Sequence, residues 1–245
     1  MKITPINNIY NNKNEQVVLF SPAFCSSQNK ENNTYNANQK GVVLATTALG
    51  VLGSCALLAK KAKYSLNPIK MFSNIKNSYL SKVKYEVKEV CTIGAGSCLG
   101  GLVGGYLIDK DKENRRIKRR EALMHYGNIA IPIITVGVVV DEVFKKSNKW
   151  VKALAGICGI GVGLYLANII MNKLCNFIFK DESASRGIEI TDLPAHLDDA
   201  VVSAGYVFPT SKFVHGLSRI IPLALMVAGN EVGTKNKEDF IKTGH

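Results

Sequence analysis

Apolar residues in this chain are gathered into blocks. Gly41–Ala59, Val90–Ile108, Ala122–Val140 and Ala153–Met171 each run nineteen residues without an Asp, Glu, Lys or Arg. An α-helix rises about 1.5 Å per residue, so about twenty apolar residues cross the ~30 Å hydrocarbon core of a bilayer. The four blocks therefore predict four transmembrane helices. Lys60, Lys61 and Lys63 follow the first block, and Trp150, Lys152 and Lys173 flank the fourth. Such side chains reach for the head-group region.

The segments between the blocks read differently. Ile69, Phe72, Ile75, Tyr79, Leu80, Val83 and Val87 recur at steps of three and four, while Lys70, Lys76, Lys82, Lys84 and Lys88 fill other positions. That pattern predicts a basic amphipathic helix over 67–89, lying on anionic lipid; a helix packed on a soluble domain is the other reading. Asp109–Glu121 is densely charged and is expected to be a linker outside the hydrocarbon. Leu193–Phe208 and Phe213–Val232 are too short or too charged to be assigned as spans. They suit half-helices, a re-entrant pair or a small hairpin packed on the bundle. The fold class expected is thus all-α: a polytopic membrane bundle of four transmembrane helices plus two short C-terminal helical segments. Residues 1–40 read as a disordered, Asn-rich tail, 41–232 as the bundle and 233–245 as a polar C-terminal tail.

Composition alters this picture little. A hydrophobic fraction of 47% over 245 residues is ordinary for a soluble protein, so segregation and not the mean carries the membrane signal. The formal charge of +12 points to anionic lipid rather than nucleic acid, because the Lys clusters sit beside apolar segments. Four of the six Cys lie inside apolar blocks and none forms a C-x-x-C pair, so they read as small packing residues and not as disulfides or zinc ligands. No cleavable leader is expected, since the first apolar block follows a long polar segment. A multi-pass protein of a bacterial inner membrane is the default localisation.

Small residues spaced four apart let helix backbones approach in lipid. Gly96, Gly100 and Gly104 form one such stripe in the second block, and Ser97, Gly101 and Gly105 form another beside it. Ala155, Gly159, Gly163 and Ala167 mark the fourth block, and Thr46, Gly50 and Ser54 the first. The spacing resembles the glycine-zipper segments of many unrelated membrane proteins. It implies either a homo-oligomer built through small-residue faces or packing within one chain.

No motif commits the chain to a reaction or a cofactor. Gly96 and Gly101 have Walker spacing, but Leu102 and Val103 stand where Lys and Ser or Thr hold phosphate and metal. His196, Asp198 and Asp199, with His215, Glu231, His125 and Glu142, are candidates for a proton-transfer, ion or metal cluster. Equally, the acids suit a helix start at Asp192–Pro194. Arg219 pairs with Asp198 or Asp199, or snorkels to the interface. His125 precedes Pro132, and His215 precedes Pro222, by the same seven residues, a hint of inverted duplication. The expected function is a non-catalytic structural, assembly or membrane-remodelling component. A small channel or transporter is the alternative, and a membrane-embedded metal enzyme the third. Neither a cofactor nor a resident metal is expected.

Overall fold

The computed structural model describes residues 35–63, 85–180, 201, 204 and 216–237. The described secondary structure is all helical, and four helices are long and apolar enough to cross a membrane. They are α1 (Ala37–Lys61), α2 (Val87–Ile108), α3 (Lys112–Gly137, continued by a π turn over Val138–Val143) and α4 (Lys149–Phe179). A 3-10 turn, Ser218–Ile220, leads into the shorter α5 (Ile221–Thr234). By length and composition the chain is a multi-pass membrane protein.

The helix boundaries have local causes. α1 starts four residues before the first uncharged block because Asn36 and Gln39 form a capping box: the Gln39 N–H donates to the Asn36 side chain at 2.9 Å, and the Asn36 N–H to the Gln39 side chain at 3.0 Å. α2 takes in Val87–Glu89, the end of the amphipathic pattern, and leaves Lys88 exposed in its first turn. Lys70, Lys76, Lys82 and Lys84 lie outside the described residues, as do residues 1–34, 181–200 and 238–245.

The largest departure from the sequence expectation is Lys112–Glu121, which is helix and not linker. Asp111 starts it by accepting from the Asn114 N–H at 3.1 Å. Arg115 reaches back to the last carbonyls of α2, with Nε donating to Asp109 O at 2.8 Å and Nη2 to Tyr106 O at 3.0 Å. One side chain therefore satisfies a helix C-terminus and fixes the turn between α2 and α3.

Packing follows the small residues. A methyl group at Gly50, Gly96, Gly100 or Gly104 would overlap atoms across the α1–α2 contact, chiefly backbone for Gly50 and Gly100 and the side chains of Ser54 and Thr46 for Gly96 and Gly104. The neighbouring stripe of α2 meets α5: a Cβ on Gly101 would overlap the Gly229 carbonyl, and one on Gly105 would crowd Gly233 and Lys118. Ser97 Oγ donates to Leu225 O across this contact at 2.6 Å. α4 packs on α3, where Gly163 receives Pro132 and a Cβ on Gly159 would stand 3.3 Å from Val136 Cα. Each stripe is thus covered from within the chain. Large apolar side chains such as Leu49, Leu107, Ile157 and Phe177 point outward. A small-residue interior with an apolar exterior is how helices pack when lipid replaces water.

One end of the bundle gathers five helix termini. Tyr35 before α1, Asp109 after α2 and Lys235 after α5 meet at Lys118 in the first turns of α3. Arg116 of α3 donates to Phe179 O at the end of α4. α5 therefore runs parallel to α2 and α4, and antiparallel to α1 and α3.

Candidate functional site

The first turns of α3 place Lys118, Glu121, His125 and Asn128 on one helical face, three and four residues apart. All four are buried, Lys118 and Glu121 completely. Ionisable groups held inside an apolar bundle are costly and need partners.

Lys118 has partners from three other elements. Its Nζ donates to the Tyr35 hydroxyl at 2.8 Å and to the Lys235 carbonyl at 2.6 Å, and stands 3.6 Å from Asp109 Oδ2. The Tyr35 hydroxyl passes its own proton donor to Asp109 Oδ2. The ammonium also lies 4.7 Å from the centre of the Tyr35 ring. Burial pushes the Asp109 carboxyl up, but the Tyr35 hydroxyl, the Asp111 N–H, the Lys118 charge and the Asn114 side chain outweigh it. Together they hold the group below its ordinary value of 3.8.

One to two turns deeper, a histidine sits between two carboxylates. His125 Nε2 is 3.6 Å from Glu121 Oε2 on its own helix and 3.5 Å from Glu231 Oε2 on α5. Glu121 is sealed, whereas Glu231 keeps 21% of its side chain exposed. Asn128 follows on the same face, and Pro132 one turn on has no N–H to offer the Asn128 carbonyl. Past that point the described neighbours of α3 are largely apolar: Ile129, Ile133, Val90, Ile93, Ile221 and Leu225 belong to one core. The polar line therefore starts at the charged end and stops about 15 Å into the bundle, counting about 1.5 Å per residue from Lys118 to Asn128.

The face of α3 turned to α4 is also polar near this end. Arg120 Nη2 donates to the Asn176 side chain at 2.9 Å, and Cys175 Sγ lies 4.0 Å from Arg120 O. Met124 and Met171 pack just below with Cys175.

Of the residues singled out in sequence, Glu231 and His125 come together. Glu142 is exposed in the π turn at the far end, and Arg219 is exposed in the turn before α5. His196, Asp198, Asp199 and His215 lie outside the described residues. Tyr35, Asp109, Lys118, Glu121 and Asn128 were not singled out as site residues. For Lys118, Glu121 and Asn128 the signal was the spacing 118, 121, 125, 128, which straddles the charged segment and the third apolar block; Tyr35 and Asp109 carried no such signal. Among the described residues, no three His, Cys, Asp or Glu side chains converge so as to hold a metal ion. Comparison with protein-family models, with curated proteins and with solved structures finds no match to this chain.

Proposed function

We propose that this protein is a small membrane channel or transporter whose ion-handling groups lie on α3 and α5. The observation that carries the reading is His125 held between Glu121 and Glu231 inside a membrane bundle. Within lipid, buried ionisable groups are retained chiefly where ions or protons pass or where charges lock a structure. A lock is already provided at Lys118, where four elements meet, and the histidine with its two carboxylates is additional to it. Pro132, close below the polar line, lies inside α3 and leaves a backbone carbonyl without its helical donor, as Pro does in helices beside transporter binding sites.

The reading as a non-catalytic structural, assembly or membrane-remodelling component draws on the glycine-zipper-like stripes and the basic amphipathic segment. The stripes meet partners inside the chain, which supports their reading as packing within one chain. Lys60, Lys61, Lys63 and Lys88 are exposed. They support an anionic-lipid contact that suits either function, and a bacterial inner membrane is the compartment we assign.

The test is ion flux. Proteoliposomes holding the purified chain, given a pH gradient and a membrane potential, are expected to carry current above empty liposomes, and the double variant Glu121→Gln, Glu231→Gln is expected to lose it. Wild-type liposomes as tight as empty ones, or a fully active double variant, would overturn the reading.

A further inference from the structure

We infer that His125 Nε2 relays a proton between Glu231 and Glu121, so that the ion taken up at this site is the proton. The inference rests on the transport reading for its purpose and on geometry for its chemistry. A single ring nitrogen faces both carboxylates, at 3.5 Å and 3.6 Å. A direct N–H···O bond closes to about 2.9 Å, so Nε2 lies about 0.6 Å beyond that from the Glu231 oxygen and about 0.7 Å beyond it from the Glu121 oxygen. One proton on that nitrogen serves one carboxylate at a time, and a small displacement of the ring or of α5 decides which.

The two acids differ in access. Glu231 is partly exposed, within one turn of the polar end of α5, and Glu121 is sealed, so in this relay Glu231 takes up the proton and passes it inward. The Glu231 O–H bond breaks as the Nε2–H bond forms, leaving an imidazolium between two carboxylates. The Nε2–H bond then breaks as a Glu121 Oε2–H bond forms. The ring returns to its neutral form with the Nδ1 proton untouched. One proton has moved inward, and nothing is oxidised or reduced.

The surroundings favour a proton over a metal cation. α3 contributes Glu121 and, three residues before it, the buried Lys118; α5 contributes Glu231. Asp109 beyond α2 and Tyr35 before α1 are both tied to Lys118. α4 contributes Cys175, beside the Arg120 carbonyl. A hard cation takes six or more oxygens. Among the described residues it would meet two carboxylates and a ring nitrogen, with the buried Lys118 on the same face of α3.

The test uses the full-length chain reconstituted in lipid. Its infrared difference spectrum between mildly acidic and mildly alkaline pH is expected to contain a protonated-carboxyl band that Glu121→Gln removes. After a pH jump, His125→Gln is expected to slow the appearance of that band at least about tenfold, the lower side of what a positioned acid–base group contributes. His125→Asn, smaller and equally unable to relay, repeats the measurement if Gln disturbs the packing. A band unchanged by Glu121→Gln, or a rate unchanged in both His125 variants, sinks the relay. Proton flux into the same liposomes is read separately. Relay signatures without flux remove the transport reading and leave the relay standing, whereas flux that persists in both His125 variants does the reverse.

Discussion

The α1–α2–α5 seam and the inward face of α3 bury comparable depths of the bundle by opposite means. In the seam, Gly and Ser bring backbones into contact, and the stabilisation comes from close packing, with Ser97 donating to Leu225 O across it. On α3, full-length charged side chains are buried and are stabilised by one another. The seam therefore tolerates no added atom, and the cluster around Lys118 loses stability when its charge is removed. Two regions a few ångströms apart fail for different reasons.

The seam is the place to look for the largest effect. Gly101→Leu puts a side chain through the Gly229 carbonyl, where neither backbone has room to yield. Overpacking of this kind is expected to cost more than about 3 kcal/mol and to leave α5 undocked, read as loss of the folded band in a detergent-unfolding titration. On the polar face, Lys118→Met removes the charge that faces Asp109 and the donor to Lys235 O. Stripping one partner from a buried pair is expected to cost about 3 kcal/mol in the same assay. Equal stability of this variant and the wild type would show that the buried charges are not what hold this face.

A pH series sharpens the contrast. The folded Asp109 carboxyl lies below its ordinary value of 3.8, so its contribution is complete above that value and is lost as pH falls through the lower folded one. Wild-type melting temperature is expected to drop along this acid limb, and the drop in Asp109→Asn is expected to be shallower. An identical acid limb in the two proteins would place the acid sensitivity elsewhere. The seam holds no such carboxylate, so Ser97→Ala should lower stability by about 1 kcal/mol at every pH. Smallest of all is Gly161→Ala. A methyl group there meets nothing within 4 Å, and the change should fall within about 0.5 kcal/mol of zero.

The seam and the polar face were also unequally legible in sequence. Uncharged blocks of nineteen residues marked the spanning helices, because lipid demands that length whatever the tertiary contacts. Small-residue spacing marked which faces have room for a neighbour but not which neighbour, and pairing α2 with α5 needed coordinates. Lys112–Glu121 was misread because averaged charge overrode periodicity. Asp111 at a cap position and inward residues 117, 118, 121, 124, 125 and 128 are a helix signature, yet burying Lys118 makes sense only once Tyr35, Asp109 and Lys235 are known to surround it. Those partners lie up to 117 residues away in the chain, and no local pattern brings them together. Glu231 was a candidate for one ionisable cluster with His125, and its closeness to His125 is a product of the α3–α5 contact.

The meeting of Tyr35 and Lys235 on one ammonium also settles a question of parity. A path that leaves and regains the same face of a bilayer crosses it an even number of times. Cysteines placed at Asn36 and at Lys237, whose backbone N–H donates to Asn114 at 3.1 Å, should then react with a membrane-impermeant maleimide from the same side. On that outcome the two flanks of the bundle share one compartment, where a single soluble partner or a single change in local pH reaches both at once.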